Sequence, residues 1–228
     1  MLDVPNMRRL LDFLSASRWC EAIRIDTNAS WNPTQYRDVR KEKIIFNCSY
    51  HPSMVDEQKY LERLKAIQDC GFEVGMINFV LTRGQLAKFR VMREKLADLG
   101  IPINANPELQ ERYSFDAELA GQLRGAILED DLYFKLGKSP KGRHCLYPSI
   151  AYEMGPTGYL TVGCIEKRGA SIFDLVLPSI GNKSIACPHD ECSCIDKYSF
   201  LSEFKRNTST NILGTYCDLL LKEQQNSR

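Results

Sequence analysis

Residues 74–109, VGMINFVLTRGQLAKFRVMREKLADLGIPINANPEL, read as strand, helix and strand in direct succession. The run VGMINFVLT (74–82) is apolar and β-rich. RGQLAKFRVMREKLADLG (83–100) carries apolar residues at helical spacing and closes on a glycine, a good helix stop. IPINANPEL (101–109) is a second short strand. Strands separated by helices of this length indicate βαβ units and a parallel sheet.

The same unit repeats on both sides. MRRLLDFLSAS (7–17) has apolar positions at helical spacing, and AIRIDTNAS (22–30) is a β-rich run that ends in turn-prone residues. KIIFNCSYHPS (43–53) repeats that pattern. VDEQKYLERLKAIQDC (55–70) places Tyr60, Leu61, Leu64 and Ile67 on one helix face and is closed by Gly71. After residue 109, FDAELAGQLRGAILED (115–130) is a further amphipathic helix. Four strands are legible, whereas a full eight-stranded barrel needs about 250 residues. The expected fold is therefore α/β, with a parallel sheet that is either open or part of a barrel.

Ligand sites of parallel α/β folds lie at the carboxyl ends of the strands. Those ends here are Thr27-Asn28, Asn47-Cys48-Ser49-Tyr50-His51, Asn78 and Asn104-Ala105-Asn106. Side-chain amides both donate and accept hydrogen bonds, which suits the polar groups of an amino acid or a ribose. Asn and Ser are also common loop starters, so any one of them alone says little. A lone histidine such as His51 is more often structural than catalytic. The chain contains no GxGxxG, GxxxxGK[ST], GxSxG or HExxH, so dinucleotide, P-loop and hydrolase motifs are absent.

Thirty Lys+Arg against twenty-nine Asp+Glu leave a net charge of +1. Dedicated nucleic-acid and membrane-surface proteins usually show a basic excess, so neither partner is expected. The apolar runs are too short to span a bilayer, and the amino terminus has no basic region followed by an uninterrupted apolar core. The cytoplasm is the expected location.

Nine cysteines are distributed unevenly. Cys20, Cys48 and Cys70 lie singly in apolar periodic segments and read as small core residues. Cys217 lies on a helical tail. Cys145, Cys164, Cys187, Cys192 and Cys194 crowd together, three of them in CPHDECSC (187–194). Composition changes at about Gly137, where LGKSPKGRHCLYPS is rich in Gly, Pro, Lys and Ser. AYEMGPTGYLTVGC then reads as a hairpin around a Gly-Pro-Thr-Gly turn. Its antiparallel pairing could bring Cys145, before the first strand, close to Cys164, after the second. In a reducing compartment such a cluster holds metal rather than disulfides. Zinc takes four Cys or Cys/His ligands, with His144 and His189 as available replacements, and a [4Fe–4S] cluster takes four thiolates. The tight Cys-x-x-Cys knuckles of a zinc ribbon are missing.

The arrangement Cys145-x12-Gly-x5-Cys164, the following Ile172-Phe173-Asp174 and CPHDECSC resembles the auxiliary iron–sulfur region of radical S-adenosylmethionine (SAM) enzymes. It is closest to the shortened SPASM-like, or twitch, variety, in which the glycine usually sits one residue nearer the second cysteine. IRIDTNAS looks like the middle barrel strand of that family, and NCSYHPS, VGMINFV and IPINANP look like the strands that follow. The resemblance covers the chain to about residue 201. It implies a partial (β/α) barrel over 1–136, a Cys-rich auxiliary cluster domain over 137–201 and a helical tail over 202–228. It also implies a [4Fe–4S] cluster on Cys145, Cys164, Cys187 and either Cys192 or Cys194. Cys192 is the preferred fourth ligand; if both bind, Cys145 is the one released. Thr27, Asn28, Ser49, His51, Asn78 and Asn104 would line the barrel mouth near SAM and substrate.

One departure governs the functional expectation. The Cys-x-x-x-Cys-x-x-Cys that holds the SAM-cleaving cluster of this family occurs nowhere in the chain, and neither does the acidic-glycine stretch after the second barrel strand. The chain thus looks like the C-terminal part of a radical SAM enzyme that would not cleave SAM alone. SAM enters as a cofactor only if an N-terminal half completes the site. A truncated enzyme, a split gene product and a degenerate relative all fit. A peptide, a sugar and a lipid are all compatible as substrate. The competing expectation, from another class, is a non-catalytic binding module stabilised by zinc.

Overall fold

A computed structural model describes residues 6–18, 20, 22–107, 117–123, 137–147, 151–155, 158–162, 166–171 and 184–192. The chain divides into two compact units, residues 1–127 and 128–228.

In the first unit a four-stranded parallel sheet has the order β1-β2-β3-β4, with β1 at Ile23–Thr27, β2 at Ile44–Tyr50, β3 at Glu73–Leu81 and β4 at Ile103–Pro107. Helix α1 (Met7–Ala16) precedes β1, α2 (Glu57–Asp69) joins β2 to β3, and α3 (Leu86–Asp98) joins β3 to β4. A parallel α/β arrangement is therefore present, as the alternating pattern predicts. The β1–β2 crossover differs: it has no α-helix, only a 3₁₀ turn at Pro33–Tyr36 capped by Asn32, whose side chain accepts from Thr34 N at 3.1 Å. Trp31 holds this connection down, packing on Phe46 (5.0 Å between centroids) and edge-on to Tyr36 (5.4 Å).

Helices α2 and α3 end alike. After α2, Gly71 (φ +83) donates to Gln68 O and Phe72 to Ile67 O. After α3, Gly100 (φ +67) donates to Ala97 O and Ile101 to Leu96 O. Both are Schellman motifs, in which glycine takes the left-handed position and the next apolar residue covers the last turn. Phe72, Ile67, Ile101 and Leu96 are all buried. Asp56 caps the start of α2 by accepting from Lys59 N at 3.1 Å.

Ring contacts fix which face of the sheet the helices cover. Tyr50 meets Tyr60 of α2 at 4.6 Å, and Phe79 meets Phe89 of α3 at 5.3 Å. By register, Cys48, Ile77, Leu81 and Ala105 share that face. The alternate residues Asn47, Ser49, Asn78 and Asn104 point to the other. Strands buried on both faces of a parallel sheet usually read as unbroken apolar runs. Here the face turned away from α2 and α3 carries these polar side chains among the apolar Ile45, Met76 and Val80.

A bulge keeps these faces in order. Phe46 pairs with Val74 but Asn47 pairs with Met76, so Gly75 is an extra residue in β3. A Cβ on Gly75 would lie 2.6 Å from Ile45 Cγ2 and 3.2 Å from Asn47 Oδ1, so only glycine fits the bulge.

Helix α4 (Ala117–Gln122) follows in the first unit. The second unit contains short antiparallel ladders. Strand β5 (His144–Cys145) pairs with β9 (Ile185–Ala186), while β6 (Glu153–Met154), β7 (Tyr159–Val162) and β8 (Glu166–Ser171) form a three-stranded meander. The β6–β7 hairpin turns through Gly155 and Gly158 (φ +78), which are joined by Gly158 N to Gly155 O at 3.0 Å.

Candidate functional site

The face of the sheet turned away from α2 and α3 brings several of the expected residues together. Ser49, Asn78 and Asn104 form one row across β2, β3 and β4. Asn104 Nδ2 donates to Asn78 Oδ1 at 3.1 Å. Asn104 is 2% exposed; Ser49 and Asn78 are half-buried. Asn47 lies one row nearer the strand start, is 4% exposed, and makes no side-chain hydrogen bond among the described residues. Asp26 pairs in register with Asn47 and is engaged by Arg24 Nη2 at 3.0 Å.

Other expected residues are placed differently. Thr27 is in register with Cys48, on the face the helices cover, and its hydroxyl accepts from Ala29 N at 3.2 Å. Asn28 Oδ1 accepts from Ser30 N at 3.1 Å. Both side chains thus close the turn after β1, the ordinary task of Thr and Asn at a strand end. His51 starts the turn after β2, its carbonyl accepting from Met54 N at 2.9 Å and Val55 N at 3.2 Å. Asn47, which the strand-end reading passes over in choosing site residues, is the better placed amide. Strict alternation with Ser49 is the signal that would have found it.

Cys48 is not a reactive thiol. It is fully buried, and burial, reinforced by the negative charge of Asp26, pushes its pKa from 9.0 up to about 12. Burial likewise raises Tyr60, whose hydroxyl has no hydrogen-bond partner among the described residues. The helix-covered face is a dry core.

The cysteine cluster is the second candidate. Cys145 is in β5, opposite Ile185. Cys187 directly follows β9 and continues its pairing: its N–H donates to Arg143 O and its carbonyl accepts from Gly142 N, both at 2.8 Å. Alternation along the two strands puts Cys145 and Cys187 on one face as diagonal neighbours. Such neighbours have Cα atoms about 7–8 Å apart, beyond the usual disulfide limit of about 6.8 Å. Two buried thiols at that separation, 6% and 5% exposed, suit a shared metal better than a bond to each other. Cys192 is half-buried. Cys164 and Cys194 lie outside the described residues, as do Cys217 and the tail over 202–228. Among the described residues no three His, Cys, Asp or Glu side chains gather into a complete metal site. The expectation of Cys145 beside Cys164 rested on the hairpin; the pairing found for Cys145 is with the strand that leads into CPHDECSC.

The described residues thus bring two buried thiols onto one face, a chemistry that would suit a thiophilic metal, and set four polar side chains on one face of the sheet. No family model matches the chain, and no match is found among curated proteins or among solved structures. No helix among the described residues is long and apolar enough to cross a membrane.

Proposed function

We propose that this chain is the C-terminal portion of a radical SAM enzyme, that residues 1–136 are part of a (β/α) barrel, and that the cysteine-rich region after it binds an auxiliary [4Fe–4S] cluster. The observation that supports this most is the pairing of β5 with β9. It sets Cys145 beside the first cysteine of CPHDECSC although the two are remote in sequence. Cys145, Cys164, Cys187 and Cys192 would hold the cluster, with Cys194 as the alternative fourth ligand. When bound, such a cluster anchors substrate or relays an electron. The polar row of Ser49, Asn78 and Asn104, joined by Asn47, supports a ligand role for the sheet face away from α2 and α3. Since the sequence carries no Cys-x-x-x-Cys-x-x-Cys, SAM cleavage requires three thiolates from elsewhere, either a preceding N-terminal part or a partner.

The test is anaerobic purification followed by iron, sulfide and zinc analysis. The proposal expects a brown protein with about four irons per chain and matching sulfide. It also expects no 5′-deoxyadenosine from SAM and reductant with this chain alone. A colourless protein holding one zinc contradicts the cluster and supports the zinc-stabilised binding module instead.

A further inference from the structure

The loop that enters β5 does more than connect. Pro140–Arg143 is a β-turn closed by Arg143 N donating to Pro140 O at 3.0 Å, with Gly142 in third place at φ +75. A positive φ at that place is the mark of a type II turn. The same glycine then stands with Arg143 opposite Cys187, through Gly142 N to Cys187 O and Cys187 N to Arg143 O, both 2.8 Å. Two residues facing one, with a left-handed glycine first, is a G1 bulge. Lys141 Nζ also reaches Asp190 Oδ1 at 3.1 Å, but both side chains are exposed, so this pair adds little. The backbone of the turn and bulge is what locates Cys187.

We propose that Gly142 is a positioning residue for the metal site: its left-handed backbone fixes Cys187 beside Cys145 before metal arrives, so that two thiol ligands are preformed. This rests on the metal reading given under Proposed function. A Cβ at Gly142 meets nothing within 4 Å, so a side chain there is opposed by the backbone conformation and not by crowding. That separates the substitutions cleanly. A β-branched residue is a strong outlier at positive φ, whereas asparagine adopts it readily.

The experiment uses the full chain, kept anaerobic, with Co²⁺ as probe and the thiolate charge-transfer band as readout. Gly142→Val should weaken cobalt binding about tenfold, as loss of an outer support of a metal ligand commonly does. Gly142→Asn should stay near wild type. A Gly142→Val chain that titrates like wild type, or a Gly142→Asn chain that falls as far as Gly142→Val, overturns the role of Gly142. A wild-type chain that takes up no cobalt overturns the metal reading itself. Amide exchange on the metal-free wild type decides the matter independently of how the variants fold. Protected Gly142 and Cys187 amides are expected, and free exchange at both shows that the ladder is not preformed.

Discussion

Strand β3 spans nine residues, is paired along both edges, and has two capped helices against one face. Among the described residues, strands β5 and β9 span two residues each and pair only with each other. Among the described residues, the largest fully buried rings, Tyr60, Phe46, Phe79 and Phe89, belong to the first unit. The described buried positions around β5 and β9 are Pro140, Cys145, Leu146, Tyr147 and Cys187. Apolar burial can account for the first region. A two-stranded ladder is marginal in water without further support, and in small cysteine-rich units metal binding supplies folding free energy directly. If the metal reading proposed above holds, the two regions rely on different physics, and substitutions should separate them.

The largest effect is expected at Cys187. Structural metal sites contribute on the order of 10 kcal/mol, so Cys187→Ala should abolish stable metal loading and return the amide protection of β5 and β9 to its metal-free level. Protection of β2 and β3 should not change; loss there too would break the contrast. Next is the sheet core. Phe79→Ala removes a fully buried ring that packs on Tyr50 and Phe89 and should cost about 3–5 kcal/mol in urea unfolding of the first unit. Metal content per folded chain should stay as in wild type.

A smaller loss is expected from Gly75→Ala. The added methyl would sit 2.6 Å from Ile45 Cγ2, and overpacking of this kind costs about 1–3 kcal/mol. A neutral result would mean that the bulge is not needed to keep Asn47 and Asn78 on one face. The smallest is alkaline. Cys48 has its pKa raised to about 12 from 9.0, so the folded state keeps a proton that the unfolded chain gives up. The stability this represents is complete below pH 9 and is lost as pH rises towards 12. At one unit above the unfolded value the loss is about 1 kcal/mol. Cys48→Ala should flatten the alkaline fall in stability of the first unit, and an unchanged slope contradicts a dry environment for this thiol.

Legibility in the sequence follows the same division. The helices that end at Gly71 and Gly100 are long enough to show their period, and each is followed by an apolar residue and a strand. Their positions could be read directly. The β1–β2 crossover was harder, because its compactness comes from Trp31, Tyr36, Phe46 and Phe72 meeting in space and not from a repeating pattern. Thr27 shows how fine the limit is. A shift of one residue along β1 separates the face of Asn47 from the face of Cys48, and composition at a strand end carries no such parity. Two-residue strands have no period at all. Nothing in HCLYP or SIACP announces that they pair, and the cysteines were legible as a group without being legible as neighbours.

X-ray absorption at the metal edge of the anaerobically loaded chain tests the central claim most directly, because it identifies both the metal and its ligand atoms. The account predicts an iron edge with a sulfur shell and a second, metal–metal shell, the signature of a cluster held by cysteine thiolates; Cys145→Ala and Cys187→Ala should each reduce it. A zinc edge with no metal–metal shell, or an iron cluster indifferent to both substitutions, would contradict it.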